Sequence, residues 1–307
     1  MKKAQFDIPA FTKNQNKTQT VLLVEQLKKD EHILNFIKRN NCSIDLVEKY
    51  PIKFNKWLDV KMKCENCPGL NSCVQPVKGQ FQDLEWNGLL TPVIRTCRYQ
   101  VTQNKEVAHM VNYLVCDMPK HFYNLKIEDI QIRGESKDYF DALLKVVDWL
   151  KNPKERGLYL YGSVGVGKTY IAACAANYFA RKGKKVAFIQ VPDWISRMKN
   201  CFDADDTFTK EISKVKRADF VVFDDIGAES VTPWVRDELL FPILNKRMEE
   251  KKMTWFTSNE DFVSLENHFR NTKQNDQEEM KAVRILERVK ALSNEFQIPG
   301  KNRRNQG

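Results

Sequence analysis

Eight consecutive residues, Gly162-Ser163-Val164-Gly165-Val166-Gly167-Lys168-Thr169, follow the spacing GxxxxGK[ST], and that spacing suits the cradling of a nucleoside triphosphate. Glycines let a loop curl so that backbone N–H groups face phosphate oxygens, and a helix opening behind them adds the positive potential of its N-terminus. Lys168 is then placed to neutralise the β and γ phosphates, and Thr169 to offer a hydroxyl to Mg²⁺. The flanks suit the motif: an apolar GLYLYG precedes it, and a helical pattern from Lys168 to Arg181 follows, with Tyr170 in its first turn. The competing reading is a chance match in a tight turn.

A second candidate stands two strand-helix units later. Four apolar or aromatic residues, Phe220 to Phe223, lead straight into Asp224-Asp225. Asp224 is suited to hold Mg²⁺, commonly through water, and Asp225 to polarise the water that attacks the γ-phosphate. Taken alone, an acidic pair at a strand end also reads as a cap. The next strand, Met253 to Phe256, ends in Thr257-Ser258-Asn259, where a polar side chain would sit between the two motifs and sense the γ-phosphate, or else cap the following segment.

Positioning these groups requires a particular scaffold. GLYLYG, KVAFIQV, DFVVFDD and MTWFTSN alternate with helical stretches over Lys168–Arg181, near Trp194 and over Trp234–Lys251. Strands alternating with helices imply a parallel sheet with helices on both faces.

The other chemistry-bearing cluster lies upstream. Cys64-x2-Cys67-x5-Cys73, followed by Cys97, supplies four thiolates, and a CxxC knuckle bearing Pro68-Gly69 suits tetrahedral zinc. A closed four-sulfur shell is structural rather than catalytic and supplies folding energy to a small domain. An iron–sulfur cluster and a redox pair are the rivals. Cys42, Cys116, Cys174 and Cys201 are scattered and read as small hydrophobes. Around the cluster, residues 20–40 show helical apolar spacing with a break near Asp30, and a second helix from Ser43 to Trp57 is crossed by Pro51. The expected organisation is a small, mainly helical zinc-binding domain over residues 1–105, a linker over 106–136, where periodicity is weak, and an α/β ATPase domain over 137–307.

The chain of 307 residues carries a net charge of +10, a pI near 9.1 and eight cysteines, and residues 151–200 hold ten Lys or Arg against two acids. The excess favours an anionic partner such as nucleic acid, or is a solvated basic face. Between residues 192 and 219, Trp194, Phe202 and Phe208 mix with Arg197, Lys199, Lys210, Lys214 and Lys216. Aromatics beside cations suit single-stranded DNA, although the same aromatics could be core. MKKAQFDIPAF lacks the apolar run of a secretory signal and no stretch is long enough to span a bilayer, so a cytoplasmic protein without disulfides is expected.

Read in order, GSVGVGKTY, FVVFDDIGAES, KRMEEKKMTWFTSN, RILERVKAL and GKNRR resemble the DnaI/DnaC family of bacterial helicase loaders, AAA+ ATPases related to the initiator DnaA. The resemblance spans the C-terminal half. It implies that Lys168 is the phosphate-loop lysine, Asp224 and Asp225 the magnesium and catalytic acids, and Asn259 the first sensor. It also implies an arginine finger at Arg288, with Arg284 as the nearest rival, and a second sensor at Arg303. A finger works only between subunits, so self-assembly with the ATP site at the interface is implied. DnaI-type loaders carry an N-terminal zinc module that grips the hexameric replicative helicase. DnaC lacks such cysteines, so the chain resembles DnaI more. The partners implied are that helicase, single-stranded DNA and other primosome proteins. An IstB-like transposition helper, with nearly the same ATPase half, and a nucleotide-binding scaffold with little turnover are the alternatives.

Overall fold

The computed structural model describes residues 12–200, 205–270 and 276–303, and it divides into two compact units, residues 1–105 and 106–307. In the first unit, helices α1 (Thr12–Lys29) and α2 (Glu31–Arg39) are separated at Asp30, whose carboxylate caps α2 by accepting the amides of His32 and Ile33. Helices α3 (Asp45–Lys49) and α4 (Pro51–Glu65) meet at Tyr50. The single helix expected across this stretch is therefore two. Proline lacks an N–H and fits the first turn of a helix, so Pro51 opens α4 instead of crossing it. Strands β1 (Gln80–Trp86) and β2 (Leu90–Thr96) form an antiparallel hairpin, followed by α5 (Arg98–Glu106). The small core centres on Phe36, Phe54 and Trp57, whose rings meet edge to face at 5.4–6.3 Å. Trp57 also donates its indole N–H to buried Asp83 at 2.6 Å.

The second unit is built on a six-stranded, fully parallel sheet: β3 (Tyr113–Cys116), β4 (Gly157–Tyr161), β5 (Val186–Gln190), β6 (Phe220–Asp224), β7 (Met253–Ser258) and β8 (Ser293–Gln297), in the order β3-β5-β6-β7-β4-β8. One face is covered by α6 (Lys137–Lys151) and α7 (Lys168–Arg181). The other is covered by α8 (Val191–Asn200), α9 (Asp205–Arg217), a π-helix over Trp234–Leu240 running into α10 (Phe241–Glu249), then α11 (Phe262–Arg270) and α12 (Asp276–Leu292). Successive strand residues serve opposite faces, as pleating requires: Phe220 and Val222 join the α7 side, Val221 and Phe223 the α10 side.

Two expectations change. The four strands read from sequence are the central ones, and β3 and β8 extend the sheet at its two edges. Residues 106–136 are consequently more than a linker. They supply β3, and Asn177 of α7 donates to the carbonyls of Phe122 and Leu125, while the Tyr113 hydroxyl donates to Asn177 at 2.7 Å. Short edge strands carry little periodicity, which is why the segment reads as a connector.

Candidate ATP site

The site sits at the C-terminal ends of β4, β6 and β7, where parallel α/β sheets bind ligands. Register brings its parts together. Tyr161 of β4 lies opposite Ser258 of β7, so the loop after Tyr161 starts beside Asn259, and Phe223 lies opposite Phe256, which sets Asp224 and Asp225 next to Thr257.

Gly162 through Gly167 form the turn into α7. Gly165 and Gly167 adopt φ of 83° and 99°, a region in which a side chain is strained. A Cβ at Gly165 would also come within 2.0 Å of the Asn302 side chain. Ser163 and Val164 are exposed at the tip, Val166 is buried, and Thr169 and Tyr170 are half-buried in the first turn of α7. Lys168, only 7% exposed, donates to the carbonyl oxygens of Gly162 (2.7 Å) and Ser163 (2.9 Å) and to Asn259 Oδ1 (2.9 Å). The motif lysine and the residue singled out as a sensor are thus in direct contact, and the Asn259 amide reaches Asp225 Oδ1 at 3.5 Å.

Asp224 is buried at the end of β6, and burial pushes its carboxyl up to about 6, with adjacent Asp225 adding to the rise against hydrogen bonds from Thr257 and Thr169 and the Lys168 charge. Asp225 is held at φ 60°, a left-handed conformation uncommon for a non-glycine residue. Thr257 stabilises that turn from both sides: its hydroxyl donates to Asp224 Oδ1 at 2.6 Å and accepts the Asp225 amide at 2.9 Å. Sequence reasoning passed over Thr257 in favour of Asn259. Its position two residues ahead of Asn259, and one past the strand's apolar run, is the only signal that could have marked it.

Arg303 is brought to the same loop. Its guanidinium lies 4.1 Å over the Tyr139 ring, donates to the Tyr139 hydroxyl (2.9 Å), to the Val166 carbonyl and to Glu135 (3.0 Å), and its own amide donates to the Gly165 carbonyl. Arg284 and Arg288 are not brought there. Both lie over the Phe241 ring of α10, at 5.1 and 5.3 Å, and Arg288 donates to Asn245 at 3.3 Å.

The mixed aromatic and basic segment resolves unevenly. Trp194 is a core residue, 1% exposed, so it offers no stacking face to nucleic acid, and Phe208 is half-buried beside Trp234. The apolar spacing of α8 buries Trp194 with Ile195 and Met198. Arg197 is engaged by both Asp117 oxygens at 2.7 and 2.8 Å. Lys199 and Lys210 are exposed, and Lys214 pairs with Glu211. Phe202 and Cys201 lie outside the described residues.

In the first unit, Cys64, Cys67, Cys73 and Cys97 line one cavity of about 400 Å³. The CxxC turn closes through a Cys67 amide to Cys64 carbonyl bond, the Gln75 amide donates to Cys64 Sγ at 3.3 Å, and the Gln100 backbone N–H donates to Cys97 Sγ at 3.5 Å. Backbone N–H groups of Gly79 and Gln75 lower the pKa of the Cys73 thiol. Thiols, a knuckle and N–H donors aimed at sulfur fit a thiolate-bound metal in donor chemistry. The four sulfurs do not, however, close into a shell: among the described residues, no group of three or more His, Cys, Asp or Glu is arranged to hold a metal ion. Of the remaining cysteines, Cys174 is fully buried, and Cys42 and Cys116 are half-buried. Among the described residues no helix is long and apolar enough to cross a membrane.

A parallel sheet whose strand ends gather a glycine-rich loop, its lysine and an acidic pair defines a P-loop nucleotide-binding protein. The comparisons narrow this class, because the IstB-like ATP binding protein model matches residues 106–306, and the chain belongs to that family. It is 31% identical over 293 residues to the replicative helicase loader DnaI of Bacillus subtilis (strain 168), a match that spans 91% of each chain. The DnaC loader of Escherichia coli (strain K12) is 28% identical over 105 residues, 34% of this chain and 42% of DnaC. Among solved structures, the crystal structure of DnaI superimposes with a TM-score of 0.54 at 30% identity, covering 62% of this chain and 98% of that one.

Proposed function

We propose that this protein is an ATP-driven loader that binds the replicative helicase through residues 1–105 and places it on single-stranded DNA, working in the cytoplasm with other primosome proteins. The observation that carries the proposal is the extent of the DnaI match. At 91% of the chain it necessarily includes most of the first unit, which an ATPase-only likeness would leave out.

In this reading the loop from Gly162 to Thr169 cradles the triphosphate of ATP, Lys168 leaves its carbonyl partners for the β and γ phosphates, and Tyr170 lines the entrance of the site. Mg²⁺, held by Thr169 and Asp224, would supply charge neutralisation on the phosphates. Asp225 orients the attacking water, and Asn259, already bonded to Lys168, reports the γ-phosphate to the end of β7. Arg303 approaches from the same chain. The exposure of Arg284 and half-exposure of Arg288 on α12 favour a role toward a second copy, with Arg288 as the finger. Cys64, Cys67, Cys73 and Cys97 would hold a structural Zn²⁺ that stiffens the helicase-binding unit.

The test is light scattering after size exclusion of the protein mixed with the replicative helicase of its own cell, with and without ATP and Mg²⁺, using the full chain and a fragment lacking residues 1–105. A complex that requires residues 1–105 is the expected result. No complex under any condition would overturn the loader reading in favour of an IstB-like transposition helper, which the family model also accommodates.

A further inference from the structure

The loop that carries Asp225 and the segment that carries Asn259 are joined a second time by one side chain outside the nucleotide site. His268 of α11 places Nε2 3.0 Å from the Glu229 carbonyl oxygen and Nδ1 4.0 Å from Glu260 Oε1. A carbonyl only accepts, so Nε2 carries a proton. With Nε2 protonated, a neutral ring would turn the Nδ1 lone pair toward a carboxylate, whereas a second proton makes that contact an ion pair.

The two carboxyl side chains of this cluster are both incompletely satisfied. Glu229 is 4% exposed. One of its oxygens accepts the Gly227 amide at 2.8 Å, and the other is buried without a hydrogen-bond partner. Glu260 likewise has a buried, unpartnered oxygen. That oxygen approaches Gly227 so closely that a Cβ there would meet it at 3.0 Å. Burial raises both carboxyls, with His268 the charge that pulls each back. The other groups facing this cluster are Asp261, which adds negative charge beside Glu260, and Tyr159, whose hydroxyl donates to the Glu260 carbonyl at 2.8 Å.

We propose that His268, bridging the Glu229 carbonyl and the Glu260 carboxylate, is a positioning residue that ties the Asp225 loop to the Asn259 segment so that acid and sensor move as one body during ATP turnover. Glu229 follows Asp225 by four residues and Glu260 follows Asn259 directly, so losing the tie loosens the flanks of both active groups, which the Thr257 and Ser258 bonds still join, without touching the phosphate loop. The inference rests on the ATPase reading above. It adds a residue that neither the motifs nor the family resemblance marks.

The test compares steady-state ATP turnover, nucleotide affinity and amide exchange over residues 226–230 in the full-length wild type, H268A, H268Q, E260Q and H268Q/E260Q. H268A is expected to lower kcat ~10-fold or more while changing nucleotide affinity by less than ~2-fold. It should also speed exchange at residues 226–230 by ~10-fold, with β4 amides unchanged. H268Q keeps a donor for the Glu229 carbonyl but loses the Nδ1 contact to Glu260, and removing the Glu260 charge alongside it should return kcat to within ~3-fold of wild type. Turnover and exchange within ~2-fold of wild type in H268A, or a double variant no better than H268Q, would overturn the proposal. A wild type without turnover would instead sink the ATPase reading, and exchange alone would then decide the role of His268.

Discussion

The two chemistry-bearing clusters of this chain are built on opposite principles. In the second unit the groups of the ATP site follow the ends of β4, β6 and β7, and sheet register brings the glycine loop that carries Lys168 beside Asp224, Asp225 and Asn259. In the first unit the cysteines come from a helix end, two loops and the start of another helix, over a core of nine buried apolar residues among those described. A sheet can hold a site in shape by itself. A small loop-built cluster calls for an additional constraint, which the proposed zinc would supply.

The sharpest way to break this contrast is to remove the cysteines proposed to hold zinc. Replacing Cys64 and Cys67 by serine should abolish bound zinc, measured by elemental analysis, and unfold residues 1–105, since a structural zinc contributes on the order of 10 kcal/mol to folding. The fragment 106–307 should keep its melting transition and nucleotide binding. If the double variant leaves exchange over residues 80–96 unchanged, the first unit stands without a metal and the contrast fails.

The reciprocal experiment spares the fold and removes chemistry. D225N should keep ATP binding and helicase binding while lowering turnover by ~10²-fold or more, because a positioned general base typically contributes that much. K168A should lose nucleotide binding outright. A D225N protein that hydrolyses ATP normally would move the base to another residue.

Thr257 tests whether register by itself is sufficient. T257V keeps the shape of the strand but strands the Asp225 amide and a buried oxygen of Asp224. A loss of about 1–3 kcal/mol is expected in denaturant unfolding of the second unit. Without the Thr257 bond the Asp224 carboxyl should rise further, so the fall in turnover on acidification should begin at higher pH than in wild type.

Legibility followed the same divide. The phosphate loop, α7 and the four central strands were readable because buried parallel strands are continuous apolar runs and the motif has fixed spacing. Strands β3 and β8 were not, because YLVC is only four residues long and SNEFQ, an edge strand, has no continuous apolar run. Trp194 stays open between core and DNA contact in the sequence because an aromatic beside cations looks the same whether it faces solvent or core, and only the packing of α8 decides. Arg303 could be placed by resemblance, but its partners Glu135 and Tyr139 could not, since they stand more than 160 residues away in sequence.

The smallest predicted effect concerns how the first unit holds itself together beside its cysteine cluster. Asp83 is 5% exposed. Burial works against its charge, yet the Trp57 indole (2.6 Å), the Leu84 amide (3.0 Å) and the Lys61 and Arg95 cations (3.7 and 3.0 Å) keep its carboxyl below the ordinary carboxylate range. A carboxyl depressed in the folded state stabilises the fold above its unfolded value of about 4, and the contribution disappears as pH falls through the folded value. D83N retains the shape and one acceptor but loses the charge pairing, which should cost about 1 kcal/mol at pH 7, with the gap to wild type narrowing toward pH 3. Amide exchange over residues 80–96 reads this directly. A gap independent of pH would mean that Asp83 acts through its hydrogen bonds alone, and the proposed zinc cysteines would then matter even more to the first unit than the contrast with the strand-end site supposes.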